Sequence, residues 1–170
     1  MANINKTMAF FKKWEGGYAE VAGDAGGPTN IGITLETFRH YYGQDKTKED
    51  LKKMTDEQWK HIFRAGFWDK AKCDQIEDDD IAMLVCNMCW GSGTITAIKR
   101  IQKCLGCSVD GVVGPETLKA LNKERHRYVF NKLWNMRYEW FHQIAEVGQN
   151  KKFLKGWLNR LDDLALFNHK

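Results

Sequence analysis

Proline and strand-like patterns are scarce in this 170-residue sequence. It contains only two prolines, and it has few runs in which apolar and polar residues alternate as they do in half-buried strands. Segments with the apolar period of a helix are common instead. The sequence therefore predicts a mainly α fold with short connections, and its 43% hydrophobic content is enough for one good core or two small ones.

Membrane-spanning and secretion signals are also lacking. No run of eighteen apolar residues occurs, which excludes an ordinary transmembrane helix and predicts no stable membrane insertion. The N-terminus lacks the order of charged, apolar and small residues that forms a signal peptide. We therefore expect the chain to stay in the cytoplasm after its synthesis.

Acidic residues are sparse in the C-terminal part. Residues 119–170 hold 11 Lys and Arg against 5 Asp and Glu, a net charge of +6, whereas residues 1–118 hold 15 against 17, a net charge of −2. A basic surface of this kind suits an anionic polymer, and a solvated helix face is the alternative.

A carboxylate interrupts the apolar stripe of the first predicted helix, residues 4–15. Ile4, Met8 and Phe11 recur at spacings of four and three, and Glu15 is the next position of that stripe. Two glycines follow, so Glu15 lies in the last turn, where burial and the helix dipole both disfavour a negative charge. A general acid needs this property, although a buried Glu paired with Arg or Lys would give the same pattern.

Several motifs occur in an order that resembles one enzyme family. Residues 15–34 contain Glu-Gly-Gly-Tyr, then Asp24, then Gly-Gly-Pro-Thr-Asn-Ile-Gly-Ile-Thr. This closely resembles the motif of the glycoside hydrolase family 108 N-acetylmuramidases, lysozyme-like enzymes of phages, prophages and bacteria that are sometimes labelled secretion activator proteins. The resemblance continues through Phe67-Trp68-Asp69, Trp90-Gly91-Ser92-Gly93, Val109-Asp110-Gly111-Val112-Val113-Gly114-Pro115 and Gly156-Trp157-Leu158-Asn159-Arg160.

The resemblance implies a lysozyme-like orthogonal helical bundle with a glycine-rich loop or short hairpin at the active site. It also implies that Glu15 is the catalytic acid and that bacterial peptidoglycan is the substrate. We expect residues 1–93 to form the muramidase region and residues 94–170 a peptidoglycan-binding-like helical region, packed together as one compact unit. The glycine turns at 109–115 are otherwise a plain connector.

Asp24 is the candidate second carboxylate that glycoside hydrolysis requires. Eight residues separate Glu15 from Asp24, and four separate Asp24 from Thr29. The order is similar to that of phage-type lysozymes, one residue short in the second gap. This resemblance implies that Thr29 is a catalytic residue together with Glu15 and Asp24, and Thr29 is also expected to hold sugar hydroxyls or the N-acetyl group. Because sequence spacing does not give the carboxylate separation, retention and inversion both stay open. Asp24 is alternatively a turn residue that bonds the loop backbone.

Other polar and aromatic residues are candidates for holding the glycan. Tyr18, Asn30 and Thr34 are expected to hold sugar hydroxyls or the N-acetyl group, although Thr34 is also the predicted cap of the next helix. Trp68 and Asp69 could line the same cleft, with the Trp68 ring as a sugar platform. A core position is the alternative for Trp68.

Asn87 departs from the family pattern. Related sequences tend to carry Asp three residues before the Trp of the Trp-x-Ser-Gly motif, and this chain has Asn87 there. Asn can hydrogen-bond but cannot act as a base. If a carboxylate at this position is essential for catalysis, the activity of this protein is reduced or lost. If the position only orients Glu15 or water, Asn87 is sufficient.

Two cysteine pairs offer a zinc alternative. Cys86 and Cys89 are followed after fourteen residues by Cys104 and Cys107, a spacing close to that of four-cysteine zinc sites. The first pair falls in an apolar helical run, however, where Cys behaves as a small hydrophobe. We therefore predict no metal site and no cofactor.

Three hypotheses follow. The favoured one is a monomeric peptidoglycan hydrolase of the endolysin or prophage type, which cleaves the β-1,4 bond between N-acetylmuramic acid and N-acetylglucosamine. It would bind no nucleic acid and would reach the periplasm or cell exterior with a holin or another export partner. The others are a catalytically weak wall-binding or secretion-associated protein, and a zinc-stabilised interaction protein.

Overall fold

A computed structural model describes residues 1–20 and 27–169, and these residues are mainly helical. Nine α-helices occur among them, together with one short hairpin. The helices are α1 (Ile4–Trp14), α2 (Leu35–Tyr42), α3 (Lys48–Lys52), α4 (Asp56–Phe63), α5 (Asp79–Ser92), α6 (Thr94–Leu105), α7 (Pro115–Leu121), α8 (His126–Ala145) and α9 (Leu154–Phe167). Strands β1 (Thr29–Asn30) and β2 (Ile33–Thr34) pair antiparallel between α1 and α2. The mainly α class is confirmed.

Short helical segments of other types complete the chain path. A π-helical turn, Arg64–Trp68, continues α4, and 3₁₀ turns occupy Cys73–Gln75 and Asn150–Phe153.

Helix boundaries follow local chemistry. The side chains of Thr34, Thr47, Thr55 and Asp78 each accept a hydrogen bond from a main-chain N–H in the first turn of the following helix. At Thr55 the side chain of Gln58 returns a bond to the cap N–H, which completes the predicted capping box. Gly106 ends α6 in the left-handed conformation, φ 76°.

Residues 8–66 form one compact unit. Its core is aromatic: the rings of Phe11 and Phe63 meet edge to face at 4.8 Å, and Trp59 stacks on Phe63 at 5.0 Å. Phe38 and Leu51 are also buried. These contacts tie α1, α2, α3 and α4 to the interior of the unit that carries the hairpin.

Residues 1–7 and 67–170 form the other compact unit. Helix α5 is its central element, because every residue from Ile81 to Cys89 is buried, as expected for a helix that is apolar all round. Helices α6, α8 and α9 contact it. The predicted domain boundary between residues 93 and 94 stays a prediction.

No helix within residues 1–20 and 27–169 is long and apolar enough to cross a membrane.

Candidate active site

Glu15 directly follows helix α1. Its main-chain N–H donates to the carbonyl of Phe11 at 2.8 Å, so it completes the last helical turn. Phe11 is fully buried, whereas Glu15 is only partly buried. The main chain of Glu15 is therefore held by the last turn of α1, which packs in the core through Phe11. The Glu15 residue itself remains accessible to solvent.

Tyr18 belongs to a cluster of charged side chains beyond Glu15. Its hydroxyl donates to the Glu20 carboxylate at 2.9 Å, and Glu20 pairs with Lys48. The Lys52 ammonium lies 4.8 Å from the centre of the Tyr18 ring. Burial, followed by the bond to Glu20, raises the pKa of Tyr18. Its hydroxyl is therefore a hydrogen-bonding group at neutral pH and not a base.

The hairpin that follows has two different faces. Thr29 pairs with Thr34 and Asn30 with Ile33 across the strands, and opposed residues share a face. Asn30 and Ile33 are buried, whereas Thr29 and Thr34 are partly exposed. Thr29 also exchanges main-chain hydrogen bonds of 2.8 and 2.9 Å with Ala19. The structure thus places Thr29 on the outer face, beside the segment that comes from Glu15.

Asn30 and Thr34 both make bonds within the fold. The Asn30 amide donates to the carbonyls of Leu51 and Lys52, at 2.8 and 3.3 Å, near the end of α3. The Thr34 hydroxyl caps α2 by accepting from the Thr37 N–H at 3.1 Å, which confirms the predicted cap. Asn30 therefore positions α3 against the hairpin, and the hydroxyl of Thr34 is already in use.

Asp24 lies outside the described residues, and its assignment as second carboxylate stays a prediction.

Trp68 and Asp69 belong to the unit of residues 1–7 and 67–170. The Trp68 ring is fully buried, and its Nε1 donates to Asp74 at 2.8 Å. A ring without an exposed face is not available to a sugar, so the structure favours the core alternative for Trp68. Asp69 is exposed.

Asn87 lies on α5 and lines a pocket of about 280 Å³ in the same unit. It is 6% exposed. The pocket is formed by residues of α5, α8 and α9, namely Asn87, Trp90, Gly91, Ser92, Arg137, Phe141, Ile144, Trp157 and Arg160. We call it the Arg137 pocket. Two of the stretches that carry the family resemblance, at 90–93 and 156–160, meet in it.

Three cysteines are buried in the hydrophobic interior. Cys73, Cys86 and Cys89 are inaccessible, and burial raises the pKa of the thiols of Cys86 and Cys89. They behave as the small apolar side chains that the sequence pattern predicts. In the part of the chain that the structure describes, no group of three Cys, His, Asp or Glu side chains is arranged to hold a metal ion.

The comparisons with known proteins agree with this architecture. Residues 8–93 match the family model of glycosyl hydrolase 108, and residues 96–162 match that of a predicted peptidoglycan domain. The chain belongs to the glycosyl hydrolase 108 family. Among solved structures, SagA of Brucella abortus is similar at 31% identity over 94% of this chain and 90% of that one, with a TM-score of 0.81. No curated protein matches.

Membership in glycosyl hydrolase 108 confirms the resemblance predicted from the motifs, together with the lysozyme-like fold. It implies a peptidoglycan-degrading glycoside hydrolase, and the second family model supports peptidoglycan as the polymer that is bound. The two family models meet between residues 93 and 96.

Sequence reasoning missed Arg137, which lines the pocket of this glycosyl hydrolase 108 protein. A signal was present: Phe130, Leu133, Arg137 and Phe141 follow the helical period of α8, so an arginine occupies an apolar stripe. The same argument identifies Glu15 on α1. The sequence alone does not distinguish Arg137 from its neighbours, because the region carries many basic residues that a solvated helix face also explains.

Proposed function

We propose that this protein is an N-acetylmuramidase that cleaves the β-1,4 bond between N-acetylmuramic acid and N-acetylglucosamine in peptidoglycan. The observation that carries the proposal is the position of Glu15. It completes the last turn of α1, remains partly exposed, and precedes a short hairpin inside the region that matches glycosyl hydrolase 108.

Glu15 would act as the general acid. Its carboxyl proton passes to the glycosidic oxygen as the bond from that oxygen to C1 of N-acetylmuramic acid breaks, and N-acetylglucosamine leaves with a free hydroxyl. Asp24 is proposed either to attack C1 or to take a proton from the water that attacks it. In both cases water finally supplies the hydroxyl at C1. No metal or cofactor enters these steps.

Thr29 and Tyr18 are the proposed contacts of the glycan near Glu15. Thr29 lies on the outer face of the hairpin and Tyr18 presents a protonated hydroxyl, so both can hydrogen-bond sugar oxygens. Asn30 and Thr34 are not proposed to contact the glycan. They support the hairpin and helix α2 and so help to position the residues that do.

The C-terminal region is proposed to hold the cell wall. It matches the predicted peptidoglycan domain and carries the net charge of +6, which suits a polymer that bears carboxylates. The site of action would be the cell wall after release from the cytoplasm, with a holin or another export partner.

A second candidate is a weakly catalytic wall-binding or secretion-associated protein. The observation that favours it is Asn87, an amide at a position where related sequences tend to have a carboxylate. Binding of peptidoglycan without cleavage would be its signature.

Digestion of purified peptidoglycan separates the two candidates. The products are reduced with borohydride, hydrolysed, and analysed for the sugar alcohol at each new chain end. Muramidase action yields muramicitol, whereas glucosaminitol would indicate cleavage of the other glycosidic bond. Sedimentation with the wall but no new reducing ends would support the second candidate.

A further inference from the structure

The Arg137 pocket is positively charged and has no acidic wall. Arg137 and Arg160 line it, and no Asp or Glu is among the described residues that do so. A carboxylate entering this pocket would therefore meet the buried Arg137 guanidinium without an acidic side chain among the described lining residues.

Arg137 is held in place with part of its hydrogen-bonding capacity unused. The residue is 3% exposed, and its Nη1 donates to the Ser92 hydroxyl at 2.9 Å. Its Nε is buried and has no hydrogen-bond partner among the described residues. Burying a cationic group costs free energy unless it is paired and hydrogen-bonded. The guanidinium is thus largely desolvated in advance, and its hydrogen-bonding capacity is only partly used within the described residues.

The surroundings of Arg137 fix its position. Its guanidinium lies 4.4 Å from the ring centre of Trp140 and 4.2 Å from that of Phe141. A Cβ at residue 91 would lie only 2.9 Å from Nη2, so Gly91 leaves the space that the guanidinium occupies. The group is preorganised by packing and does not depend on a flexible surface side chain.

Neighbouring charges increase the positive potential. The guanidinium of Arg100 lies 4.0 Å from the centre of the same Trp140 ring. Burial, then the charges of Arg100 and Arg160, lower the pKa of Arg137 to about 9, and the thiol of Cys89 opposes this shift. Arg137 is therefore still protonated at neutral pH, where a carboxylate would relieve the repulsion.

Aromatic rings give the pocket a second feature. Trp157 is partly exposed, and its ring stacks on Phe141 at 5.4 Å and on Phe153 at 6.0 Å. Trp90 is also partly exposed. Aromatic faces suit the apolar side of a sugar ring or of an aliphatic side chain. The volume of about 280 Å³ fits one sugar or a dipeptide better than a longer chain.

We propose that the Arg137 pocket binds a carboxylate of peptidoglycan, with the sugar or aliphatic group that bears it packed against the aromatic side chains that line the pocket. The choice of peptidoglycan rests on the proposed function, whereas the carboxylate chemistry rests on the pocket. The lactyl group of N-acetylmuramic acid and the stem peptide are the two sources of such a carboxylate.

Calorimetric titration with three small probes tests the proposal: N-acetylmuramic acid, a stem tetrapeptide and neutral N-acetylglucosamine. At least one carboxylate probe should bind at least about tenfold more tightly than N-acetylglucosamine. The tighter carboxylate probe identifies the source. Equal affinity for all three, or no binding of either carboxylate, would overturn the proposal.

The Arg137→Met variant should lose at least about tenfold in affinity for the carboxylate probe. Arg127→Met is the matched control, because Arg127 is exposed on the same helix and the change in charge is identical. It should bind as the wild type does. Unaltered affinity in folded Arg137→Met would contradict the proposal.

Asn87→Asp is a second test of the pocket, because the side chain keeps nearly the same size. It can still be measured if Arg137→Met does not fold. It places a carboxylate on the wall of the pocket, where it would compete with the ligand for the cations. The carboxylate probe should bind about tenfold more weakly. Unchanged affinity in the folded variant would count against the pocket.

Failure of this inference and failure of the proposed function have different signatures. Carboxylate binding that depends on Arg137, without any muramicitol from peptidoglycan, would retain the pocket and reject the muramidase. Normal muramicitol release, together with carboxylate-probe binding that does not change in Arg137→Met, would reject the pocket and retain the muramidase.

Discussion

Trp59 holds the turn of the hairpin through the main chain of Ile31. Its indole Nε1 donates to the Ile31 carbonyl at 2.9 Å, and the Trp59 side chain is fully buried. Ile31 has φ of +45° and Gly32 has φ of +73°, as a two-residue turn with both central residues left-handed requires. A β-branched residue is strained in this conformation. The buried indole therefore helps to maintain a turn that the side chain of Ile31 disfavours.

Ile31→Asn should be more stable than Ile31→Ala. Both changes shorten the side chain, but Asn tolerates the left-handed region better than other residues with a Cβ. We expect a difference in the free energy of unfolding of about 1 kcal/mol in favour of Asn. Urea denaturation of the two variants measures it, and a more stable Ala variant would argue against strain at this turn.

Arg137 should make stability depend on pH in the alkaline range. Its folded-state pKa of about 9 lies below the ordinary value of 12.5, so between these values the unfolded state binds more protons and stability rises with pH. Below about pH 9 the guanidinium is charged in the folded state, so its burial lowers the free energy of unfolding by the full amount. Relative to Arg137→Met, the wild type should gain stability as the pH rises above about 9.

Denaturant unfolding of both proteins between pH 8 and 10.5 checks this expectation. Taking the difference cancels the titration of other groups that the two proteins share. Parallel stability curves would contradict the lowered pKa of Arg137.

A chelator should leave stability and lytic activity unchanged. Burial raises the pKa of the Cys86 and Cys89 thiols, and metal binding needs thiolates. The melting temperature and the rate of wall clearing are compared before and after dialysis against a strong chelator. Stoichiometric zinc, lost together with stability, would revive the zinc-stabilised alternative.

Charge reversal at Lys151, Lys152 and Lys155 should weaken wall binding. All three side chains are exposed, and they lie around the start of α9. Sedimentation with intact cell walls should fall most at low ionic strength, because salt screens exposed charges. Cleavage of a short soluble muropeptide chain should change little, since a small substrate needs only the site near Glu15.

A different result is expected if this basic surface belongs to the catalytic groove. Binding and cleavage would then fall together at every salt concentration in a folded variant. The separate wall-binding assignment would have to be abandoned in that case.

Features set by a few neighbouring residues could be predicted from the sequence. Thr34 and Thr55 cap helices as predicted. A helix cap depends only on a side-chain oxygen and on the main-chain N–H groups of the next turn, so it can be predicted from neighbouring residues. The glycine-rich stretch after Glu15 is predicted to form a loop or a short hairpin, and the structure has a short hairpin at residues 29–34. The apolar helical run around Cys86 and Cys89 predicted a buried helix, and these residues are buried.

Roles set by distant contacts could not be predicted in the same way. Asn30 looked like a sugar ligand, but its amide bonds carbonyls 21 and 22 residues away. The sequence allows Trp68 either to line a cleft or to lie in the core. The structure buries it through contacts with residues that are distant in the sequence, which no local pattern indicates. The Arg137 pocket combines residues from three helices, so no local pattern could outline it.

The loss of hydrolysis in Glu15→Gln tests the central claim most directly. The amide is similar in size to the carboxylic acid but cannot donate the proton that the leaving oxygen needs. Glu57→Gln is the matched control, because Glu57 is exposed on α4 and forms a surface ion pair with Lys60. Both variants should keep the wild-type melting temperature within about 2 °C.

The measurement is the rate of muramicitol formation from purified peptidoglycan, taken together with sedimentation of the protein with the wall. Glu15→Gln should bind the wall normally and lose at least about a hundredfold in rate, while Glu57→Gln retains the wild-type rate. Near wild-type turnover by a folded Glu15→Gln protein would contradict the account.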